Sequence, residues 1–256
     1  MKIAIAIPCY NCELQLPRLL LELDSILSLR SEIKKILIIE NRSKDNTLKT
    51  AVKSVSGLKS KNLFSIYQNP ENIGLGGTHK IAFTLGYELE MTHLMILHGD
   101  HQASAMDIPG LIEKSVKNEA ASVLGSRFSD LRKLSGYSKT RKAGNLALNK
   151  IYSLVTRKKI TDLGSGLNLF RLSDFVSEHY QQLDNGFAFN MDLLVYMVRE
   201  KIKFYYIPIK WSNVDQVSNA RAFAVGLKAL MILFKWPFLS EVQNRSHFKS
   251  YKIAND

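Results

Sequence analysis

Four short polar segments each follow a run of apolar residues, and they carry the side chains suited to chemistry. They are Pro8-Cys9-Tyr10-Asn11, Glu40-Asn41-Arg42-Ser43, Asn72-Ile73-Gly74 and His98-Gly99-Asp100-His101-Gln102. Carboxylate, amide, hydroxyl and imidazole groups can hydrogen-bond a polar ligand, and an open α/β sheet binds its ligand at the carboxyl ends of its strands. The spacing suits one site assembled from successive loops. Alone, His98-Gly99-Asp100 reads as a surface turn; the other three loops give it weight. A second concentration of chemistry is cationic. The 256 residues include 35 Lys+Arg against 23 Asp+Glu, a formal net charge of +12. Between Arg127 and Lys159 stand ten basic residues and one acid, Asp130, so +9 of that charge lies in one stretch. Such a run is either a solvated basic face or a site for phosphate, nucleic acid or an anionic membrane.

Positioning these groups requires strands that alternate with helices. Residues 3–7, 36–39, 63–67, 94–97 and 121–124 read as short buried strands. Leu14, Leu16, Leu19, Leu20, Leu23 and Leu27 recur at helical spacing after the first. Asp45 is placed to cap a helix after the second strand, a helix over 76–89 follows the third, and Asp107 with Pro109 opens another after the fourth. This alternation predicts an α/β fold with a mostly parallel sheet. Beyond residue 125 the pattern changes to a long loop, a basic helix over 141–156, strands over 167–170 and 204–209, and a helix over 187–199. The apolar fraction of 46% excludes a disordered chain, and two cysteines exclude a disulfide framework. The first residues are too short an apolar run for a signal peptide. Residues 241–256 read as a loosely held polar tail.

In this order the four segments resemble the nucleotide-sugar-binding region of family 2 glycosyltransferases of the GT-A fold. Pro8-Cys9-Tyr10-Asn11 matches the opening P-x-Y-N, and Glu40-Asn41-Arg42-Ser43 with Asp45-Asn46-Thr47 stands where an acidic turn is followed by D-x-T. Asn72-Ile73-Gly74 matches the N-x-G loop, and His98-Gly99-Asp100 occupies the place of the D-x-D metal motif. Later segments resemble the polyprenyl-phosphate, or dolichol-phosphate mannosyltransferase-like, branch. They are Gly125-Ser126-Arg127-Phe128, the basic helix, Thr161-Asp162-Leu163-Gly164-Ser165-Gly166 and Gly186-Phe187-Ala188-Phe189-Asn190-Met191-Asp192. The resemblance spans about residues 1–215. It implies a GT-A domain with a Rossmann-like nucleotide half over 1–125 and an acceptor half over 126–215. Residues 216–256 follow as an amphipathic helix and tail.

What the resemblance implies is an inverting, metal-dependent transferase moving one sugar from a UDP- or GDP-linked donor to a polyprenyl phosphate or related membrane glycolipid. Pro8, Tyr10, Asn11, Glu40, Asn41, Ser43, Asn72, Gly74, His98 and Gly99 are its expected donor-binding residues. Mg²⁺ or Mn²⁺ is the expected cofactor, held by Asp100 with Gln102 and His98, because a departing diphosphate needs a cation to neutralise it. Two departures stand out: His98 replaces the first acid of D-x-D, and Asn41 replaces an acid expected near the nucleoside. Ser126, Arg127 and Arg141 are the expected binders of an acceptor phosphate, which needs cations more than a base. Asp100, Asp192 and Arg127 are the expected catalytic groups, Asp192 as a base for an alcohol acceptor.

The alternative is transfer to a saccharide hydroxyl in surface-polysaccharide assembly. A non-catalytic sugar-nucleotide-binding protein is a further reading, resting on His98 and Asn41. A nucleic-acid binder has only the basic run behind it, without an aromatic or helix-turn-helix signature. The spacing of Cys9 and Cys12 allows a redox pair, but Cys9 falls at the variable position of P-x-Y-N. No P-loop, H-E-x-x-H or G-x-S-x-G elbow is present. Near the C-terminus, the apolar stretch over 222–239 is broken by Lys228 and Lys235. With Arg221 these lysines form a basic stripe beside Phe223, Leu227, Leu230, Phe234, Trp236 and Phe238. That pattern suits a helix docked on its own domain, a helix lying in a membrane interface or, with its lysines, a poor membrane span; the interfacial reading fits the resemblance, which implies peripheral contact at the inner face of the cytoplasmic membrane.

Overall fold

The computed structural model describes residues 1–175, 178–212, 222–235 and 251–253. Its frame is an eight-stranded sheet. β1 (Ile3–Cys9), β2 (Ile33–Glu40), β3 (Phe64–Gln68) and β4 (His93–Leu97) run parallel. β5 (Ser122–Ser126) pairs in parallel with β8 (Phe204–Pro208). Between these two groups β7 (Leu167–Arg171) runs antiparallel to both neighbours. The two-residue strands β6 (Leu134–Ser135) and β9 (Trp211–Ser212) make a separate small sheet. β10 (Tyr251–Ile253) pairs antiparallel with β3, so part of the expected loose tail returns to the sheet edge. The order β10-β3-β2-β1-β4-β7-β5-β8 places β1 beside β4, and the winding direction reverses between them. That reversal opens a crevice above the carboxyl ends of β1 and β4.

Alternation along the strands divides the core in two. Ile3, Ile5 and Ile7 face the layer of α1 (Leu16–Leu27), α2 (Thr47–Ser56) and α4 (Ile108–Val116). Ala4 and Ala6 point the other way, toward α3 (Gly74–Glu88), α5 (Lys139–Thr156), α6 (Phe189–Arg199) and α7 (Ala222–Lys235). Small alanines there leave room for the bulk of Phe83 and its aromatic neighbours Phe170, Phe175 and Tyr180. α1 buries Leu16, Leu19, Leu20, Leu23, Ile26 and Leu27 at helical spacing and begins with Pro17, whose missing N–H costs nothing in a first turn. Truncating one of these leucines to alanine costs about 2–5 kcal/mol.

The expected strands and helices form, with local corrections. Asp45 stabilises the start of α2 from one residue outside the cap position: its Oδ1 accepts from the Thr47 N–H at 3.0 Å and from the Thr47 hydroxyl at 2.5 Å. α5 starts at Lys139, two residues early, because the Ser138 hydroxyl accepts from the Arg141 N–H and caps it. Among the described residues, no helix is long and apolar enough to cross a membrane. Arg221, Trp236 and Phe238 of the expected basic and aromatic stripe lie outside the described residues.

Candidate active site

The donor-side loops are cross-linked before any ligand arrives. The backbone N–H of Asn11, which has a left-handed φ of 50°, donates to the Ser43 hydroxyl at 3.0 Å. The Asn11 side-chain oxygen accepts from the Lys44 N–H at 2.8 Å, closing the first loop on the second. Glu40 is buried; it accepts from the Ser43 N–H at 2.5 Å and from the Gln68 amide at 2.9 Å. Asn41 is also buried and ties the second loop to the third. Its oxygen accepts from the Ile73 N–H at 3.1 Å, so its amide nitrogen must be the atom that donates to Asn72 Oδ1 at 2.9 Å and to the Gly74 carbonyl. A carboxylate here would face two acceptors. The departure at Asn41 is therefore a loop organiser. Tyr10, Asn11 and Ser43 line the mouth half-buried, and Asn72 is exposed.

The His98-Gly99-Asp100 segment leaves β4 beside the end of β1. The Gly99 N–H donates to the Pro8 carbonyl at 3.0 Å, and a Cβ on Gly99 would stand 2.7 Å from Cys9 Sγ, so glycine is required by the close approach. His98 Nε2 lies 3.1 Å from Nε2 of His79 on α3. Burial pushes both imidazoles toward the neutral form, the condition for one ring to donate and the other to accept. His98 Nδ1 lies against Gly166, where a Cβ would come within 3.1 Å. The ring is thus packed into the loop rather than presented to a cation.

Asp100 is different. Its carboxylate accepts the Gln102 N–H at 3.2 Å, and burial raises its pKa despite the opposing pull of His98. A carboxylate whose desolvation outweighs these partners suits a bound cation. Among the described residues no three His, Cys, Asp or Glu side chains gather into a closed metal site. A divalent ion on Asp100 would complete its shell from donor phosphates and water, as Mg²⁺ commonly does.

On the other side of His98 stands the loop before β7. The His98 N–H donates to the Gly166 carbonyl at 2.9 Å, which fastens this loop to the 98–102 loop. Its Asp162 has a fully buried side chain and takes Arg127 as a bidentate partner, with Nε at 2.8 Å and Nη2 at 2.6 Å. Arg127 also donates through Nη2 to the Gly164 carbonyl at 2.9 Å and lies between the rings of Phe128 and Trp211, each 5.1 Å away. Burial works against the charged guanidinium, but Asp162 outweighs it and holds Arg127 charged. These side-chain bonds run through Nε and Nη2. Ser126 is buried, its hydroxyl accepting from the Ser129 N–H and facing the Thr161 carbonyl, so the structure does not bring it to Arg127's outer side. Arg141 sits half-buried on the first turn of α5, stacked 5.1 Å over Tyr137.

Asp192 lies on the first turn of α6, among Lys80, Asp184 and Lys228. Its Oδ2 accepts from the Asp184 N–H at 3.0 Å. Burial, helped by the charge of Asp184, raises its pKa to about 6. It is joined to the 98–102 loop through its own helix: Phe189 packs edge-on against His79, the partner of His98, at 5.2 Å.

Sequence reasoning did not assign roles to His79, Lys80 or Asp184, nor pair Asp162 with Arg127. One signal was present: Asp162 is the first acid after a basic run. His79 and Lys80 gave none, because buried polar residues on a helix covered by core look like surface residues in a sequence.

Residues 4–176 match the profile of Glycosyl transferase family 2. A UDP-N-acetylglucosamine–dolichyl-phosphate N-acetylglucosaminyltransferase of Methanococcus voltae is 25% identical over 218 residues, covering 81% of this chain and 84% of that protein. The dolichyl-phosphate beta-glucosyltransferase of Saccharomyces cerevisiae is 24% identical over 239 residues, covering 86% and 70%. Among solved structures, glucosyl-3-phosphoglycerate synthase of Mycobacterium tuberculosis, crystallised with Mn²⁺, uridine diphosphate and phosphoglyceric acid, superposes with a TM-score of 0.67. That match has 10% identity and covers 94% of this chain and 80% of the other, a likeness of fold.

Proposed function

The chain belongs to glycosyl transferase family 2, and from that premise we propose that it transfers a sugar from a UDP-linked donor to a polyprenyl phosphate, with inversion. GDP-linked sugars are the second donor class. The observation that carries the reading is the fastening of the cationic loop to the metal loop: His98 holds Gly166, and the same loop holds Arg127 through Asp162 and Gly164. An anionic acceptor is thereby drawn beside the donor diphosphate. The lipid-phosphate acceptors in the names of both relatives support the same assignment.

The residues divide the work. Tyr10, Asn11, Ser43 and the Asn72–Gly74 turn frame the nucleoside, with Glu40 and Asn41 fixing the loops. Asp100 is the residue that would hold Mg²⁺ or Mn²⁺, which supplies charge neutralisation to the leaving diphosphate. Gln102 flanks it and His98 shapes the loop. An acceptor phosphate held by Arg127 and Arg141 attacks the anomeric carbon. The new C–O bond forms as the bond to the diphosphate breaks, and the diphosphate leaves with the electron pair. A phosphate monoester has a second pKa of about 6, so Asp192 is matched to take its remaining proton.

Residues 1–125 form the donor half and 126–215 the acceptor half in this reading. α7 meets the membrane peripherally, at its cytoplasmic face, through the exposed line Leu227, Met231 and Phe234. The raised pKa of Asp192 also serves a second reading, transfer to a saccharide hydroxyl, for which a base is required. Incubation with radiolabelled nucleotide sugars separates the two. A charged lipid product, stable to alkali and labile to mild acid, is expected. Label found only in saccharide, with every prenyl phosphate inert, overturns the first reading.

A further inference from the structure

We infer that Asp184 and Lys228 are positioning residues that tie the C-terminal helix α7 to the carboxylate of Asp192, so that the acceptor side is complete only with α7 seated. The inference rests on Asp192 acting as proposed above.

The connection is continuous. Lys228 of α7 pairs with Asp184 Oδ2. The other Asp184 oxygen accepts from the Gly186 N–H at 2.8 Å, which rigidifies the loop, and the Asp184 N–H donates to Asp192 Oδ2. The same loop is clamped to α3. Lys80 Nζ donates to the Leu183 carbonyl at 2.6 Å and to Asn185 Oδ1 at 2.5 Å, and the Gly77 N–H donates to the Asn185 carbonyl at 3.1 Å. Space is tight: a Cβ on Gly74 would stand 2.3 Å from the Asn185 carbonyl oxygen, and one on Gly76 2.1 Å from that of Asp184. Four residues, 183–186, therefore touch the donor turn, the acceptor carboxylate and α7 together. Packed structures of this kind have discrete arrangements rather than gradual ones.

Every charged or titratable group facing Asp192 enters the test. Asp184 from the loop raises its pKa, while Lys228 from α7 and Lys80 from α3 lower it. Tyr152 of α5 faces it too, and its phenol is raised by burial and by the Asp192 charge. Lys228→Met removes one cation and leaves Asp184 without its partner, so Asp192 should titrate at higher pH. Asp184→Asn removes the anion and frees Lys228 for Asp192, so Asp192 should titrate at lower pH. Lys228→Arg keeps the link.

The experiment follows the carboxyl carbon of Asp192 by ¹³C NMR titration in the full chain, alongside the pH profile of transfer. Opposite displacements of the midpoint in Lys228→Met and Asp184→Asn are expected, with Lys228→Arg near wild type. The acid limb of the transfer profile should move with the midpoint. In Lys228→Met, kcat should fall roughly fivefold with donor KM unchanged. Midpoints that stay in place, or move the same way in both variants, overturn the inference. So does an unchanged kcat in Lys228→Met. If wild type transfers nothing to any prenyl phosphate, the acceptor assignment fails, while the titration still decides whether the link to α7 exists.

Discussion

The two sides of the crevice solve opposite problems. On the donor side, polar groups are spent on each other: Asn11 on Ser43 and Lys44, Glu40 on Ser43 and Gln68, Asn41 on Asn72 and Ile73. On the side proposed for the acceptor, Arg127 is held by the buried Asp162, Arg141 and Lys142 are half-buried, and the rest of the basic run lies exposed on α5 and its flanks. Lys139, Lys150, Arg157, Lys158 and Lys159 are all exposed. In the proposed reading the donor side is preorganised for a ligand of fixed shape. The acceptor side offers diffuse positive charge with a single rigid anchor, which suits an anion attached to a long, variable body. The +9 counted between Arg127 and Lys159 accordingly overstates the free positive charge there by one, since Arg127 is offset by Asp162, which lies outside that stretch.

The comparison can be broken most severely at Asp100. Asp100→Ala should abolish metal-stimulated transfer, a loss of about a thousandfold or more, with the fold intact by circular dichroism. Next is Arg127→Ala, which leaves the Asp162 carboxylate buried and unpaired. A loss of about 3–5 kcal/mol in denaturant unfolding is expected, and Asp162→Asn in the same background should recover part of it. Third is Asn41→Asp, which sets a carboxylate against Asn72 Oδ1 and the Gly74 carbonyl. It should cost about 1–3 kcal/mol and weaken donor binding more than acceptor use, read by calorimetric titration. A pH profile gives a smaller effect. Asp192 works as a base only when ionised, so transfer should rise with pH through about 6 and level off above it. The mildest change is Arg141→Ala, a few-fold rise in acceptor KM that shrinks as salt is added, because a charge still open to solvent is screened.

Much of this was legible in the sequence for a physical reason. β1, β4 and the C-terminal part of β2 are buried on both faces, so they appear as uninterrupted apolar runs, and each run stops where a polar loop begins. That made 3–7, 36–39 and 94–97 readable, and with them Asn11, Glu40, Asn41 and Asp100. The antiparallel direction of β7 was not readable, since direction belongs to the connection and not to the strand. Nor was the link between Arg127 and Asp162, 35 residues apart, which exists only once β5 and β7 lie side by side. α3 hid the most. From Gly76 to Phe83 it is buried on every side, and so His79 and Lys80, polar in type, sit in the core and hold two halves of the site.

The division into a rigid donor crevice and an anion-seeking acceptor side is tested most directly in Arg127→Lys. Lysine keeps a charge opposite Asp162 but cannot reach both its oxygens and Gly164 together. Donor affinity by calorimetric titration and KM for a polyprenyl phosphate should be measured on the same preparation. The account predicts a donor Kd within about twofold of wild type and an acceptor KM raised about tenfold, the loss of one charge-assisted hydrogen bond. A donor Kd that rises while the acceptor KM stays unchanged would contradict it.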